Sequence, residues 1–331
     1  MYCSRIVALL LIGACSMGVC SISAAHAQAV DADWPNKPIH FIVPFPAGAI
    51  TDLVSRIVAN KLSQQLGQPV IIDNRTGASG EVGALALMNS APDGYTIGLA
   101  TSSTHAIAAS LNPSLSYDPV KDFEPVSSIG DAPYVLVAAT NIQAKNVADI
   151  VALAKAQPGS LNYSTVGPAS LAQFAGALFS SMTGAQISPI PYRTATQAVI
   201  DLAEGRIQMQ FGAIAASLPF VKESKMHAIA VTSSERVPML PDVPTMAESG
   251  LPNYEAVLWM AIVMPPKTPK PLVDRMNKEV RDAVADASVQ KSLNLQALLP
   301  RSSSPGELRA RIGSDIEKWR KIADEAGIKP Q

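Results

Sequence analysis

Ile39-His40-Phe41-Ile42-Val43-Pro44-Phe45-Pro46-Ala47-Gly48-Ala49-Ile50-Thr51-Asp52 passes from a short apolar run, through a loop of prolines and small residues, into a helical pattern. Ile39–Val43 reads as a buried strand. The pattern from Asp52 to Leu66, with Leu53, Ile57, Leu62 and Leu66 apolar, predicts a helix that stops at Gly67 before Pro69. Val70 to Ile72 predicts a second strand, Val82 to Met88 a helix and Thr96 to Ala100 a third strand. Strands alternating with helices in this order imply a parallel sheet covered on its faces by helices.

The same alternation resumes downstream. Asn112 to Asp131 is rich in Pro, Ser and Asp, and reads as an irregular approach to a crossing between two domains. A second α/β series begins at Tyr134–Ala138. Its expected helices are Asp149–Lys155, Ala169–Met182 and Ala195–Leu202, and its strands include Ile187–Ile190, Ile207–Phe211 and His227–Val231. The Pro-rich segment Val237–Pro252 returns the chain, and Ala256–Met264 is a further apolar strand. Two helices are expected to close the sequence. Thr268-Pro269 starts the first, with Leu272, Met276, Val280 and Val284 on one face. Ser304-Pro305-Gly306-Glu307 starts the second as a capping box, ahead of the stripe Leu308, Ile312, Ile316 and Trp319. The expected fold class is α/β in two lobes, with residues 28–132 and 255–331 forming a discontinuous first lobe and 133–254 the second.

The N-terminus carries a basic Arg5, an apolar run Ile6–Ile12 and the small-x-small signal Ala25-His26-Ala27. That order predicts a secretory signal peptide over residues 1–27, too short for a membrane span, and a periplasmic location. A lipoprotein signal with Cys15 as the lipidated residue is the alternative. All three cysteines, Cys3, Cys15 and Cys20, lie in this leader, so cleavage after Ala27 leaves neither disulfide nor thiol. Removing 27 residues from 331 leaves 304, long enough for two domains. With 26 basic and 27 acidic residues, no bulk charge favours nucleic acid or an anionic membrane.

The loop Phe45 to Asp52 sits where open α/β sheets bind ligands, between a strand and a helix start. Unpaired N–H groups and the helix dipole make such a position an anion site, although Thr51 or Asp52 would equally serve as a helix cap. Phe45, Ala47, Gly48, Ala49, Ile50, Thr51 and Asp52 are therefore candidate ligand-binding residues. Ser164, Thr165, Gly167, Ala169 and Ser170 form a second such loop, where an ordinary Gly-Pro turn with a serine cap is the plainer reading. Ser102, Ser103 and His105 belong to a third polar cluster. Arg193, followed by Thr194, offers a two-pronged donor for a carboxylate, though a lone Arg more often lies idle at the surface. Gly77-Ala78-Ser79-Gly80-Glu81 is not a nucleophile elbow, and the glycines at 77, 80 and 83 match neither a dinucleotide fingerprint nor a P-loop. No metal-ligand spacing and no nucleophile–base pair is evident, so no cofactor, metal or catalytic residue is expected.

Taken together, several motifs make the chain resemble the Bug family, periplasmic receptors of tripartite tricarboxylate transporters. They are Trp34-Pro35-Asn36-Lys37-Pro38-Ile39, Pro44-Phe45-Pro46-Ala47-Gly48 with Asp52 and Arg56, and Asp73-Asn74-Arg75-Thr76-Gly77-Ala78. Pro92-Asp93-Gly94-Tyr95-Thr96, Ser102-Ser103-Thr104-His105-Ala106 and Pro191-Tyr192-Arg193 follow. Leu240-Pro241-Asp242-Val243-Pro244-Thr245 and Glu248-Ser249-Gly250-Leu251-Pro252 complete the set.

The resemblance implies a Venus-flytrap fold that holds a carboxylate between its lobes and delivers it to membrane permease subunits, with no enzymatic activity. It implies that Phe45 to Asp52, Ser164 to Ser170 and Arg193-Thr194 face the ligand. Two positions depart from the family pattern: Ala49 follows Gly48 where a second glycine is usual, and Thr194 follows Arg193 where Gly is usual. Each adds a side chain where backbone would approach ligand. Arg193 and Thr194 are therefore expected to clamp the distal end of a dicarboxylate, aliphatic or aromatic. A monomer is expected. A sensor feeding a membrane signalling protein is the alternative function, and an enzyme acting on a carboxylate a more distant one.

Overall fold

The computed structural model describes residues 33–166 and 170–329. The leader with its cleavage site, and Gly167 and Ala169 of the second loop, lie outside them. The first unit is β1 (Ile39–Val43), α1 (Ile50–Leu66), β2 (Val70–Asn74), α2 (Glu81–Met88) and β3 (Thr96–Thr101). β1 pairs in parallel with both β2 and β3, as the alternation of strands and helices requires. A single π turn, Ser103–Ile107, and the short α3 (Ala108–Leu111) follow. Helix α1 ends at Gly67 with φ of 66°, but its buried stripe is Thr51, Val54, Ser55, Val58, Ala59 and Leu62, whereas Leu53 faces outward. The small residues in that stripe let the helix lie close to the sheet.

The chain then enters β4 (Glu124–Ala139), a strand of sixteen residues that the sequence hides. Its first part pairs antiparallel with β9 (Val257–Met264), with register shifts between Pro125 and Ser127 and between Ser128 and Gly130. Bulges of this kind absorb residues that would interrupt a regular ladder. The polar groups are satisfied by the segment leading into the last helix: Ser303 N–H donates to Ser127 Oγ and Ser128 N–H to Ser303 Oγ, both at 3.0 Å. A Cβ on Gly130 would stand 2.5 Å from the Leu299 carbonyl of the short β10 (Leu299–Pro300), so only glycine admits that pairing. The expectation of irregular chain up to Asp131 therefore fails from Glu124 onward.

The second part of β4 pairs with β7 (Met209–Ala213) and β8 (Met226–Val231). β5 (Leu161–Val166) runs parallel to β7 and to β6 (Ile187–Tyr192). Around them pack α4 (Val147–Ala156), α5 (Leu171–Thr183), α6 (Ala195–Ala203) and α7 (Ile214–Lys222). The sheet order is β2-β1-β3-β9-β4-β7-β5-β6, with β8 and β10 also on β4, so this one strand passes from one lobe into the other. The fold is a two-lobed α/β architecture.

Three helices close the chain, not two: α8 (Lys270–Ala285), α9 (Ala287–Leu295) and α10 (Pro305–Ala326). Asp286 breaks the first pair by accepting from the N–H groups of Ser288 and Val289. The capping box at Ser304 and Glu307 is formed. Helix α10 reaches both halves of the sheet. Its buried Trp319 meets Phe174 of α5 edge-on at 5.3 Å, and Glu325 accepts from Ser181 Oγ at 2.7 Å. One apolar core consequently runs without a break from Ile42 and Leu87 to Phe174, Phe211 and Trp319. At the crossing, the fully buried Thr232 accepts from Tyr134 N–H at 2.8 Å and donates to the Ala256 carbonyl at 2.7 Å, tying the outgoing strand to the returning one.

Candidate functional site

The β1–α1 loop is shaped from behind by Asp52. This side chain is 2% exposed and accepts from Gly48 N–H, Arg56 Nε and Asn74 Nδ2 at 2.9, 2.9 and 3.0 Å. Asn74 Nδ2 also donates to the Phe45 carbonyl, so both ends of the loop hang on one buried carboxylate. Burial raises the Asp52 pKa, but the hydrogen bonds from Arg56, Gly48 and Asn74 outweigh it and hold the group below the usual carboxylate range. Gly48, at φ of 83°, makes the turn that brings its own N–H onto Asp52. Asp52 thus positions the loop and faces away from the cleft.

Helix α1 begins at Ala49 with no side-chain cap. Among the described residues, the N–H groups of Ile50, Thr51 and Asp52 find no acceptor, as expected for the open end of a helix. Ala49, Ile50 and Thr51 line a cavity of 300 Å³ between the lobes. On the opposite wall are Leu171 and Ala172 at the start of α5, Ala195 at the start of α6, and Ala213 and Ala216 at the start of α7. Four helix N-termini therefore converge on one space, and α7, like α1, has no side-chain cap. None of the described side chains lining the cavity is charged. The positive potential is supplied by backbone dipoles, which cost no reorganisation when an anion arrives. Phe45, Tyr134, Phe211 and Leu258 give the space apolar walls.

Several buried polar atoms at this cavity have no partner among the described residues: Thr51 Oγ1, Ser164 Oγ and Gln210 Oε1. Buried polar groups are nearly always paired, so three unpaired ones at one cavity mark it as the candidate binding position. Among the described residues no group of His, Cys, Asp or Glu is placed to hold a metal ion.

Of the sequence-derived candidates, Phe45, Ala49, Ile50, Thr51, Ser103, Ser164 and Ser170 line the cavity. Ala47 and Gly48 are exposed on the loop's outer side. Thr165 is buried on the other face of β5 from Ser164, as strand alternation dictates. Ser102 is fully buried behind Ser103, its Oγ unpaired. His105 does not edge the cleft: the π turn drives it inward, where its ring packs 4.7 Å from Phe123 and its Nδ1 lies 2.9 Å from Thr104 Oγ1. Complete burial pushes its pKa down to about 3, which makes it a neutral structural residue. Arg193 and Thr194 are exposed outside the cavity, and Thr194 caps α6 by accepting from Gln197 N–H at 3.2 Å. Tyr134 and Gln210 were not anticipated. Gln210 is one of two polar residues, with Gln208, that alternate with Ile207, Met209 and Phe211, so nothing local singles it out; Tyr134 gives no signal either, because nothing local says that a mid-strand tyrosine meets a cleft.

The model of the tripartite tricarboxylate transporter family receptor matches residues 54–328. Protein BugT of Bordetella pertussis is 36% identical over 315 residues, covering 95% of this chain and 97% of that one. Among solved structures, an R. palustris protein with adipate superposes with a TM-score of 0.76 at 33% identity, covering 90% of this chain and all (100%) of that one. MatC of Rhodopseudomonas palustris with bound malate gives 0.71 at 29% identity, covering 87% and 99%. The uncapped helix ends around an uncharged cleft are thus set in a chain that, over nearly its whole length, belongs to the tripartite tricarboxylate transporter receptor family.

Proposed function

We propose that this protein is an extracytoplasmic solute-binding receptor that holds one small carboxylate in the interlobe cavity and presents it to the permease subunits of a tripartite tricarboxylate-type transporter. The observation that carries this reading is the convergence of four helix N-termini on a cavity with no charged lining residue. A carboxylate placed there accepts from the free N–H groups of Ile50, Thr51 and Asp52 and replaces the missing cap of α1. Its relatives with adipate and with malate, both small carboxylates, support the same ligand class. Thr51, Ser103, Ser164 and Ser170 are assigned to direct contact, and Arg193 and Thr194 to the rim. The family of binding receptors to which the chain belongs supports binding without chemistry.

The leader 1–27 would deliver the mature chain, as a monomer, to the periplasm. Residues 28–132 with 255–331 would form one lobe and 133–254 the other, moving about the Thr232 junction, with α10 lying against both. Ligand would shift the population toward the closed form.

The test is a thermal-shift and calorimetric screen of leader-free, refolded protein against a panel of mono-, di- and tricarboxylates. A carboxylate that binds only the folded state raises the melting temperature. Because no lining side chain is charged, its affinity should change less than about threefold between low and high NaCl, in contrast to a site built on surface cations. Stabilisation by none of the panel would refute the proposal.

A further inference from the structure

Resting on the carboxylate reading of the cleft, we infer that Gln210 reads a hydrogen-bond donor on the ligand, so that the ligand is a carboxylate bearing a hydroxyl or N–H group and not a plain acid. Gln210 lies on β7, is 3% exposed and lines the interlobe cavity, where its Oε1 has no partner among the described residues. It is the register partner of Ser164 on the adjacent parallel strand, whose Oγ is also unpaired and also lines the cavity. Two unsatisfied groups therefore stand side by side in the wall of the second lobe, opposite the uncapped start of α1.

Their chemistry differs. A serine hydroxyl rotates to donate or accept, whereas an amide oxygen only accepts. The oxygens of an ionised carboxylate only accept as well and bring no proton to Oε1. A buried acceptor left unmatched is costly, and a ligand carrying O–H or N–H at that point removes the cost. The side chain also lies against the backbone of Gly212. A Cβ on Gly212, two residues along the same strand face, would come within 3.0 Å of Gln210 Cδ and 3.1 Å of Oε1, so the side chain rests across the space glycine leaves.

Matched pairs that differ by one donor test this: citrate against tricarballylate, hydroxyglutarate against glutarate, para-hydroxybenzoate against benzoate, ω-hydroxyhexanoate against hexanoate, and pyrrole against furan carboxylate. Affinities are measured by titration calorimetry on refolded wild-type, Gln210→Leu, Gln210→Glu and Gly212→Ala proteins, with folding checked by thermal melts. In at least one pair the wild type should prefer the donor-bearing member by about tenfold or more. Gln210→Leu should erase that preference. Gln210→Glu, near-isosteric and still an acceptor, should keep the preference while weakening both members through its charge. Gly212→Ala should reduce it by displacing the amide. If pairs bind without preference, or if the preference survives Gln210→Leu, the inference is overturned while the carboxylate reading stands. If no member of any pair binds, the carboxylate reading falls and takes the inference with it.

Discussion

Replacing Asp52 by Ala tests whether the binding loop is held by its buried carboxylate. The carboxylate accepts three hydrogen bonds, from Gly48 N–H, Arg56 Nε and Asn74 Nδ2. The Arg56 side chain is 48% exposed, so its ion pair contributes at most about 1 kcal/mol once water and salt screen it. The other two are charge-assisted bonds to partly buried donors, each contributing about 1–2 kcal/mol. Their loss gives an expected destabilisation of about 2–4 kcal/mol, or a melting temperature lower by roughly 3–6 °C in a protein of this size. Asp52→Asn keeps the shape but loses the charge, and should fall between the two. The pH dependence follows from the pKa held below the usual range: this stability is present above the unfolded pKa of about 4 and is lost as pH falls through the lower folded value. Differential scanning calorimetry at neutral pH gives the first number. Calorimetric titration with the best carboxylate gives the second, an affinity reduced by about tenfold through misplaced donors. An Asp52→Ala protein that melts within about 2 °C of wild type and binds normally would show that the Pro46–Ala49 turn holds the loop unaided.

Thr232→Val removes the buried hydroxyl at the crossing and leaves Tyr134 N–H and the Ala256 carbonyl short of a partner; urea denaturation should show a loss of about 1–3 kcal/mol with no change of fold. His105, neutral when folded with a pKa near 3, takes up a proton on unfolding once the pH drops below its unfolded value of about 6.5. Stability should therefore fall as pH is lowered from about 6.5 toward 3, by an amount on the order of several kcal/mol, and His105→Gln should flatten that part of the profile measured by denaturant midpoint. Trp319→Ala should cost about 3–5 kcal/mol, because its ring fills the core that α10 shares with α5.

The parts of the fold that could be read from sequence are those specified by local chemistry. β1, the α1 stop at Gly67 and the capping box at Ser304 each depend on residues within a few positions of one another. What was hidden depends on distant partners. β4 carries Pro125, Ser127, Ser128 and Gly130, which look like loop until Ser303 and Leu299 are seen to satisfy and admit them. The apolar residues alone do not mark the buried face of α1: Leu53 is exposed, while the small Thr51, Ser55 and Ala59 are buried against the sheet. The site followed the same division. Thr51 and Ser164 were legible as loop and strand-end hydroxyls beside a helix start. Gln210 is not distinguished from Gln208 by the local alternation, and His105 misleads because a polar neighbour sequence says nothing of the aromatic cluster that encloses it.

The cleft's lack of charge bears on how such a receptor releases its cargo. A site built on an Arg–carboxylate pair holds its ligand through a bond that strengthens as water leaves, and a buried ion pair once formed is expensive to break. In the proposed site the anion would face dipoles spread over four helices, α1 on one side of the cavity and α5, α6 and α7 on the other. Each contributes a modest amount, typically about 0.3–1 kcal/mol. Separating the lobes would then remove three of the four at once while the ligand stayed on α1. On that proposal affinity is a function of lobe separation, and a permease that propped the lobes apart would weaken binding without touching the ligand. The Thr232 junction, where the two crossings are tied, and α10, whose Trp319 packs on Phe174 of α5, would resist that separation. On the proposed mechanism they set how much work a permease must do, so a Thr232→Val receptor should release its carboxylate faster even where its closed cleft binds normally.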